Sequence, residues 1–351
     1  MGEDYIISLG STAERMPIDA KSWDAGDPII QEGIYRLLPE LENINFVSSV
    51  RIPDNEIDEY VKNCRHIIQT GTPSWINPIY RLFWKACIKY NKRISFLGIG
   101  LAVPYTSDFW YGREEFFRLK EAGLIDLVVC RDKLCYYWLT KSLGLPKAKT
   151  HLLPCPGFYV LEPKLISEKK NIILSIPNPE ETSVSRKDVF KEALYKFKHI
   201  QIELEKHDAR VFMTYHRHLP SFKPFHEEFK KAFPGKDLNW FPLWPDFKKF
   251  HEDKHVYIGV RNHGALPCSG GGIPSLLLGT DDRQHLADEI PFLSKYDISR
   301  NSFDPRFIID WYTSLIPTGI SLSLSNWRDV TYQRWQEILK PLKEVINDTV
   351  S

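Results

Sequence analysis

The sequence predicts an α/β protein built from two successive parallel-sheet domains. Three observations carry this reading. The chain has 351 residues, enough for two domains that each bury a core. Short apolar runs alternate with longer amphipathic ones, which is the βαβα rhythm of a covered parallel sheet. A Pro-rich stretch, "LLPCPGFYVLEPKLISEKK", interrupts that rhythm, which then restarts.

In the first half, "YIISLG" (5–10) reads as a buried strand. "DPIIQEGIYRLLPEL" (27–41) has helical spacing and opens on Asp-Pro, a cap followed by proline in the first turn. Strands follow at 44–50, 66–71, 93–101 and 125–132, with helices at 79–91, 114–123 and 132–144 between and after them. In the second half, strands are expected at 171–177, 209–216, 255–260 and 273–280, with a short one in "LNWFPLW". Helices are expected at 187–207 and 225–233, and a short one in "FKKFHED". An amphipathic helix closes the chain at 326–348 despite Pro341. The domain boundaries follow: 1–160, then 161–325, with the terminal segment 326–351 rejoining the first. Two Rossmann-like domains in this arrangement make a GT-B-like fold. Its ligand site is expected in the interdomain cleft, at the carboxyl ends of the strands.

Composition excludes several function classes. The net charge of +1 provides no field for a nucleic-acid backbone, so any anion must be held by local cations. Six Cys show no CxxC pair and no Cys/His spacing for zinc, and they read as reduced thiols. The N-terminus lacks a signal-like apolar run, and no run reaches the roughly 18 apolar residues of a membrane span. A cytoplasmic protein without metal is expected.

Candidate site residues are polar residues just past predicted strands. "VRNHGAL" places Arg261, Asn262 and His263 before Gly264, where a helix is expected to start and add its amides to an anion site. The alternative is a buried ion pair with a core histidine. "TYHRHL" places His216, Arg217 and His218 after another strand; three cations in a row repel unless an anion lies among them or solvent screens them. Gly26 and Asp27 stand before the first helix, as a plain cap or as a carboxylate facing a ligand. Arg131 and Asp132 adjoin before another helix, where Asp132 reads as its cap. The glycine run 269–272 permits close backbone approach. "LGIGLAVP" lacks the third glycine of a dinucleotide fingerprint.

The order of these pieces resembles the polysaccharide pyruvyl transferase family. The matching pieces are Gly26-Asp27, "GIGLAVP" (98–104), "CRDKLCYYWLTKSLG", and "RNHGALPCSGGGIPSLLLGTDDR" (261–283). The chain departs from the family pattern at Thr70-Gly71-Thr72 and at Pro154-Cys155-Pro156. The resemblance implies transfer of pyruvate from phosphoenolpyruvate, as co-substrate, onto two hydroxyls of a sugar to form a ketal, with no further cofactor. The acceptor would be a sugar, an oligosaccharide or a lipid-linked glycan, the last entailing peripheral membrane contact. In this reading Arg261 and Arg217 bind the donor's anionic groups and His263 is the general acid. Asp27 is the base or orients the sugar. His216, His218, Asn262 and Gly264 add donor contacts, and Gly26 and Arg131 lie on the acceptor side. Two other readings stay open: a GT-B glycosyltransferase using a nucleotide sugar, and a non-catalytic glycan-binding protein.

Overall fold

The computed structural model describes residues 5–9, 26–43, 45–48, 52–71, 78–100, 113–176, 187–215, 222–240, 244–279, 282–298 and 304–347. They fall into two compact units. One takes the described residues of Met1–Pro17, Ile30–Gly157 and Val330–Ser351, and the other those of Ile18–Ile29 and Phe158–Asp329.

The first unit holds a six-stranded sheet made of β1 (Tyr5–Leu9), β2 (Asn45–Ser48), β3 (His66–Thr70), β4 (Ile94–Ile99), β5 (Ile125–Cys130) and β6 (Thr150–Leu152). Its order is β2-β1-β3-β4-β5-β6, and every pairing is parallel. Parallel strands need crossovers, and α1 (Gly26–Leu37), α2 (Ile57–Asn63), α3 (Pro78–Tyr90), α4 (Arg113–Glu121) and α5 (Lys133–Tyr137) provide them. One sheet face buries Ile7, Leu9, Ile67 and Phe96 against Trp84 and Phe116 from α3 and α4. The Trp84, Phe96 and Phe116 rings meet edge-on or tilted, with centroids 5.6–6.0 Å apart.

The second unit repeats the plan with β7 (Asn171–Ser175), β8 (Arg210–Tyr215), β9 (Leu238–Trp240), β10 (Val256–Gly259), β11 (Ser275–Gly279) and β12 (Leu293–Asp297). The order is β12-β11-β10-β7-β8-β9, again all parallel. Its helices are α6 (Lys187–Lys206), α7 (Phe222–Ala232), α8 (Trp244–Glu252), α9 (Asn262–Gly270), α10 (Pro305–Ser314) and α11 (Pro317–Asn347). From Val330 onward α11 belongs to the first unit. There Tyr332 Oη and Gln336 Nε2 donate to the carbonyls of Arg36 (3.2 Å) and Leu37 (3.0 Å), which end α1 without intrahelical partners.

Two Rossmann-like parallel sheets are therefore what the sequence predicts. The differences are local. The helix expected over 132–144 ends as α5 at Tyr137 and continues as a π-turn, Trp138–Ser142. The helix expected from Gly264 starts two residues earlier, and the terminal helix starts at Pro317, nine residues before the expected 326. No helix among the described residues is long and apolar enough to cross a membrane.

Candidate functional site

A doubly wound sheet parts its crossovers at the strand pair where the order reverses, and ligands bind at the carboxyl end of that pair. In the second unit that pair is β7 and β10. Ser175, the last residue of β7, pairs with Gly259 on one side and with Thr214 of β8 on the other. The chain leaving β10 and the chain leaving β8 therefore start from one row, about 10 Å apart across β7. The first leads into Arg261. The second leads into His216, Arg217 and His218, which lie outside the described residues.

Gly259 allows this junction to form. A β-carbon there would stand 2.3 Å from Ser175 Cβ and 3.0 Å from the Tyr257 hydroxyl. Because residues 257 and 259 share a face, the missing side chain lets the Tyr257 hydroxyl reach past it. That hydroxyl donates to the Arg261 carbonyl at 3.1 Å. Burial pushes the Tyr257 phenol well above its usual range, so the group stays a donor. The Arg261 carbonyl also accepts from the backbone N–H of Gly264 and Ala265, each at 3.0 Å. Arg261 is thus the N-cap of α9, in extended backbone geometry, with its side chain making no cap bond.

Every residue from Val256 to Gly279 is buried except Arg261, Asn262 and His263, which are half-buried. Their exposure is intermediate, and the Nη2 atom of Arg261 is itself buried. They are the one place where this apolar stretch reaches solvent, and they do so at the first turn of a helix whose dipole favours an anion. Pro267 inside α9 has no N–H to return to the His263 carbonyl, the position its helical bond would occupy. Asn262, in chain order between the other two, shares their half-buried position.

The glycine run at 269–272 has a structural use. A β-carbon on Gly270 would stand 1.5 Å from the Phe158 carbonyl oxygen, and Gly272 has φ +80°. The close approach the sequence allows there is taken by the chain's own crossing segment. Arg328 of α11 locks it, donating to the carbonyls of Gly270 (2.9 Å), Tyr159 (3.0 Å) and Leu161.

In the first unit, Asp132 caps α5: its carboxylate accepts from the Cys135 N–H at 2.6 Å. Arg131 is 2% exposed, with Nη1 3.9 Å from Cys155 Sγ. Both side chains lie over Gly100, where a β-carbon would meet Asp132 Oδ2 at 2.4 Å and Arg131 Nε at 2.7 Å. Gly26 and Asp27 occupy the first two positions of α1 and fall with the second unit, as do Arg261 and His263. Sequence reasoning missed Tyr257 and Ser175 as positioning residues. The signal available was the Tyr-x-Gly alternation at the end of a strand.

Residues 24–282 match the polysaccharide pyruvyl transferase family, a span that covers α1 through the candidate site. The chain belongs to that family. No curated protein shows significant similarity to its sequence. Among solved structures, a Listeria monocytogenes protein assigned as a UDP-N-acetylglucosamine 2-epimerase superposes with a TM-score of 0.59 at 12% identity, over 95% of each chain. The MnaA–UDP co-structure of S. aureus has a TM-score of 0.56 at 13% identity, over 96% of this chain and 98% of that one. The Neisseria meningitidis UDP-GlcNAc 2-epimerase bound to UDP-GlcNAc has a TM-score of 0.56 at 11% identity, over 98% and 99%. At such identities the likeness concerns the fold: two Rossmann-like domains of the GT-B type. Family membership makes the protein a transferase acting on polysaccharide.

Proposed function

We propose that this pyruvyl transferase takes its pyruvate from phosphoenolpyruvate and closes a ketal across two hydroxyls of one sugar. The observation that carries the proposal is the half-buried Arg261–Asn262–His263 triplet at the N-terminus of α9, in an otherwise buried stretch at the switch point. Phosphoenolpyruvate bears a phosphate and a carboxylate on three carbons, so it needs two anion subsites close together. Arg261 serves one with its planar fork, and Arg217, following β8, serves the other. His216 and His218 are further phosphate ligands, and Asn262 and the Gly264 amide complete the donor side.

In the proposed reaction His263 protonates the methylene carbon of the enol, a role an adjacent anion favours by stabilising imidazolium. Positive charge develops at the central carbon, and a sugar hydroxyl adds there as its proton passes to Asp27. The carbon–oxygen bond to phosphate breaks and the electron pair leaves with phosphate. The second hydroxyl adds to the resulting cation and its proton is lost, closing the ketal. Gly26 and Arg131 are assigned to the acceptor side. The six buried free cysteines suit a reducing compartment, in keeping with a cytoplasmic enzyme. A lipid-linked acceptor would bring it to the membrane surface.

The test mixes the protein with phosphoenolpyruvate and a panel of galactosides and mannosides and measures free phosphate. Sugar-dependent release, with a ketal methyl singlet in the product's proton spectrum, is expected. Release of a nucleoside diphosphate from a sugar nucleotide, with none from phosphoenolpyruvate, would sink the proposal.

A further inference from the structure

Three neighbouring strands of the first unit end around one buried cation. β4, β5 and β6 lie side by side in its sheet. The ladder runs one step past β6, where the Leu153 N–H donates to the Cys130 carbonyl at 3.0 Å. The chain leaving β5 enters Arg131, and the chain leaving β6 enters Pro154-Cys155-Pro156. Arg131 is 2% exposed. Its side chain lies over Gly100, just past β4, where a β-carbon would meet Nε at 2.7 Å.

A buried guanidinium ordinarily pairs with a carboxylate, because a full charge and five N–H donors are costly to strip of water. Asp132, next in the chain, gives its Oδ1 to the Cys135 N–H at 2.6 Å. Its Oδ2 shares the space above Gly100 with Arg131 Nε. Among the described residues, the one side chain that accepts a hydrogen bond from Arg131 is the Cys155 thiol, with Sγ 3.9 Å from Nη1. Cys155 is fully buried and held from both sides. The flanking prolines fix their own φ, and Pro156 also restricts the backbone of Cys155. The Pro154 carbonyl accepts from Trp335 Nε1 at 3.3 Å. Pro156 is wedged between two glycines: a β-carbon on Gly33 would stand 2.1 Å from its carbonyl oxygen, and one on Gly98 would stand 2.4 Å from its Cδ. All of these residues belong to the first unit. The thiol therefore starts from a fixed point, in the stretch where the chain departs from its family's pattern.

We propose that Cys155 is a positioning residue, whose thiol aims the Arg131 guanidinium at the carboxyl end of β5. Cys155 touches no substrate and acts through Arg131, so the proposal rests on the assignment of Arg131 to the acceptor side. A thiol is a weak acceptor, which directs the fork without locking it in a buried ion pair. The rival account is packing, since a buried cysteine also behaves as a small apolar group. The two accounts rank the same variants in opposite order.

Cys155→Ser and Cys155→Ala are compared by urea unfolding and by the KM and kcat of the acceptor sugar, read as phosphate release. For a positioning thiol, Cys155→Ser still accepts and keeps the sugar KM within about twofold, while Cys155→Ala raises it about fivefold with kcat little changed. If Cys155→Ala does not fold, Cys155→Val takes its place. An alanine variant equal to or better than the serine variant in stability and in sugar KM makes Cys155 a packing residue and overturns the proposal. A double-mutant cycle with Arg131→Met, followed by urea unfolding without substrate, tests the contact itself. The fall in urea midpoint caused by Cys155→Ala should vanish once Arg131→Met is present, and additive losses overturn the proposal. Coupling in the cycle with an unchanged sugar KM in active Cys155→Ala overturns it too, because the contact then serves stability alone. The cycle needs no activity. A wild type that releases no phosphate with any sugar defeats pyruvyl transfer, and the cycle still decides whether Cys155 holds Arg131.

Discussion

Gly259 lies against Ser175 so closely that a β-carbon at 259 would stand 2.3 Å from the Ser175 Cβ and 2.9 Å from its carbonyl oxygen. This contact joins β7 to β10 at the switch point, two residues before Arg261. Gly259→Ala is expected to destabilise by about 1–3 kcal/mol, as overpacking does. Phosphate release should fall as well, because the strand carrying Arg261 must move. Adding Ser175→Gly removes the nearer clash and should restore part of both. Urea unfolding with activity measured on the same samples, as a double-mutant cycle, reads the coupling.

His263→Gln should lower kcat by at least about a hundredfold while leaving Tm within a few degrees, since general acid catalysis contributes on that scale. The side chain is half-buried at a helix N-terminus, not packed in a core. Near-wild-type turnover would remove His263 from its assigned role. Arg261→Lys keeps the charge and loses the fork. It should raise KM for phosphoenolpyruvate by roughly tenfold with a smaller change in kcat.

Arg328, 8% exposed, spends its guanidinium on three backbone carbonyls of the second unit. A lysine ammonium cannot span all three. Arg328→Lys should therefore cost roughly 1–3 kcal/mol, the penalty for an unmet buried acceptor, and Arg328→Met more. Equilibrium denaturation measures both, and a lysine variant as stable as wild type would contradict the clamp.

Asp132 makes a helix cap, and Asp132→Ala should cost about 1 kcal/mol while Asp132→Asn costs much less. The measured quantity is ΔTm. Activity at saturating substrate should follow stability only, because the carboxylate is occupied with the Cys135 amide.

His66 sets a pH dependence. Burial first, and then the charge of Arg93, lowers its pKa from 6.5 to about 4. Its Nε2 lies 3.0 Å from Ser95 Oγ. Asp126 is 4.0 Å from Nδ1 but is paired with Arg93. The unfolded chain takes up a proton near pH 6.5 that the folded chain refuses until about pH 4. The stabilisation is complete above pH 6.5 and is lost as pH falls toward 4, by roughly 3 kcal/mol at most. His66→Gln should flatten the stability profile over that window, whatever its absolute Tm.

The elements legible in the sequence are those with strong local signals. β1, β3, β4, β5, β7, β10 and β11 are apolar runs because strands covered on both faces need no polar side. The elements that escaped are weaker. β6 has three residues, and β12 is an edge strand with one buried residue, so neither shows a periodicity. α10 opens on Asp304–Pro305, the same pair that marked the first helix in the sequence, yet no helix was expected there. In the site, Arg261 and His263 stood out because a cation and an imidazole follow an apolar run. Tyr257 and Ser175 did not, because each is an ordinary strand residue until its neighbours are known.

The sequence by itself determined the two parallel-sheet domains, the absence of a field for polyanions, the cluster at 261–263 and, through motif order, the family. These depend on local pattern and on charge that the chain carries in any conformation. Only the tertiary structure decided that Ser175 aligns Gly259 with Thr214 and that the glycine run serves the crossing segment and Arg328. Register, close approach and hydrogen-bond satisfaction are relations between distant residues, so they exist only once the chain has folded.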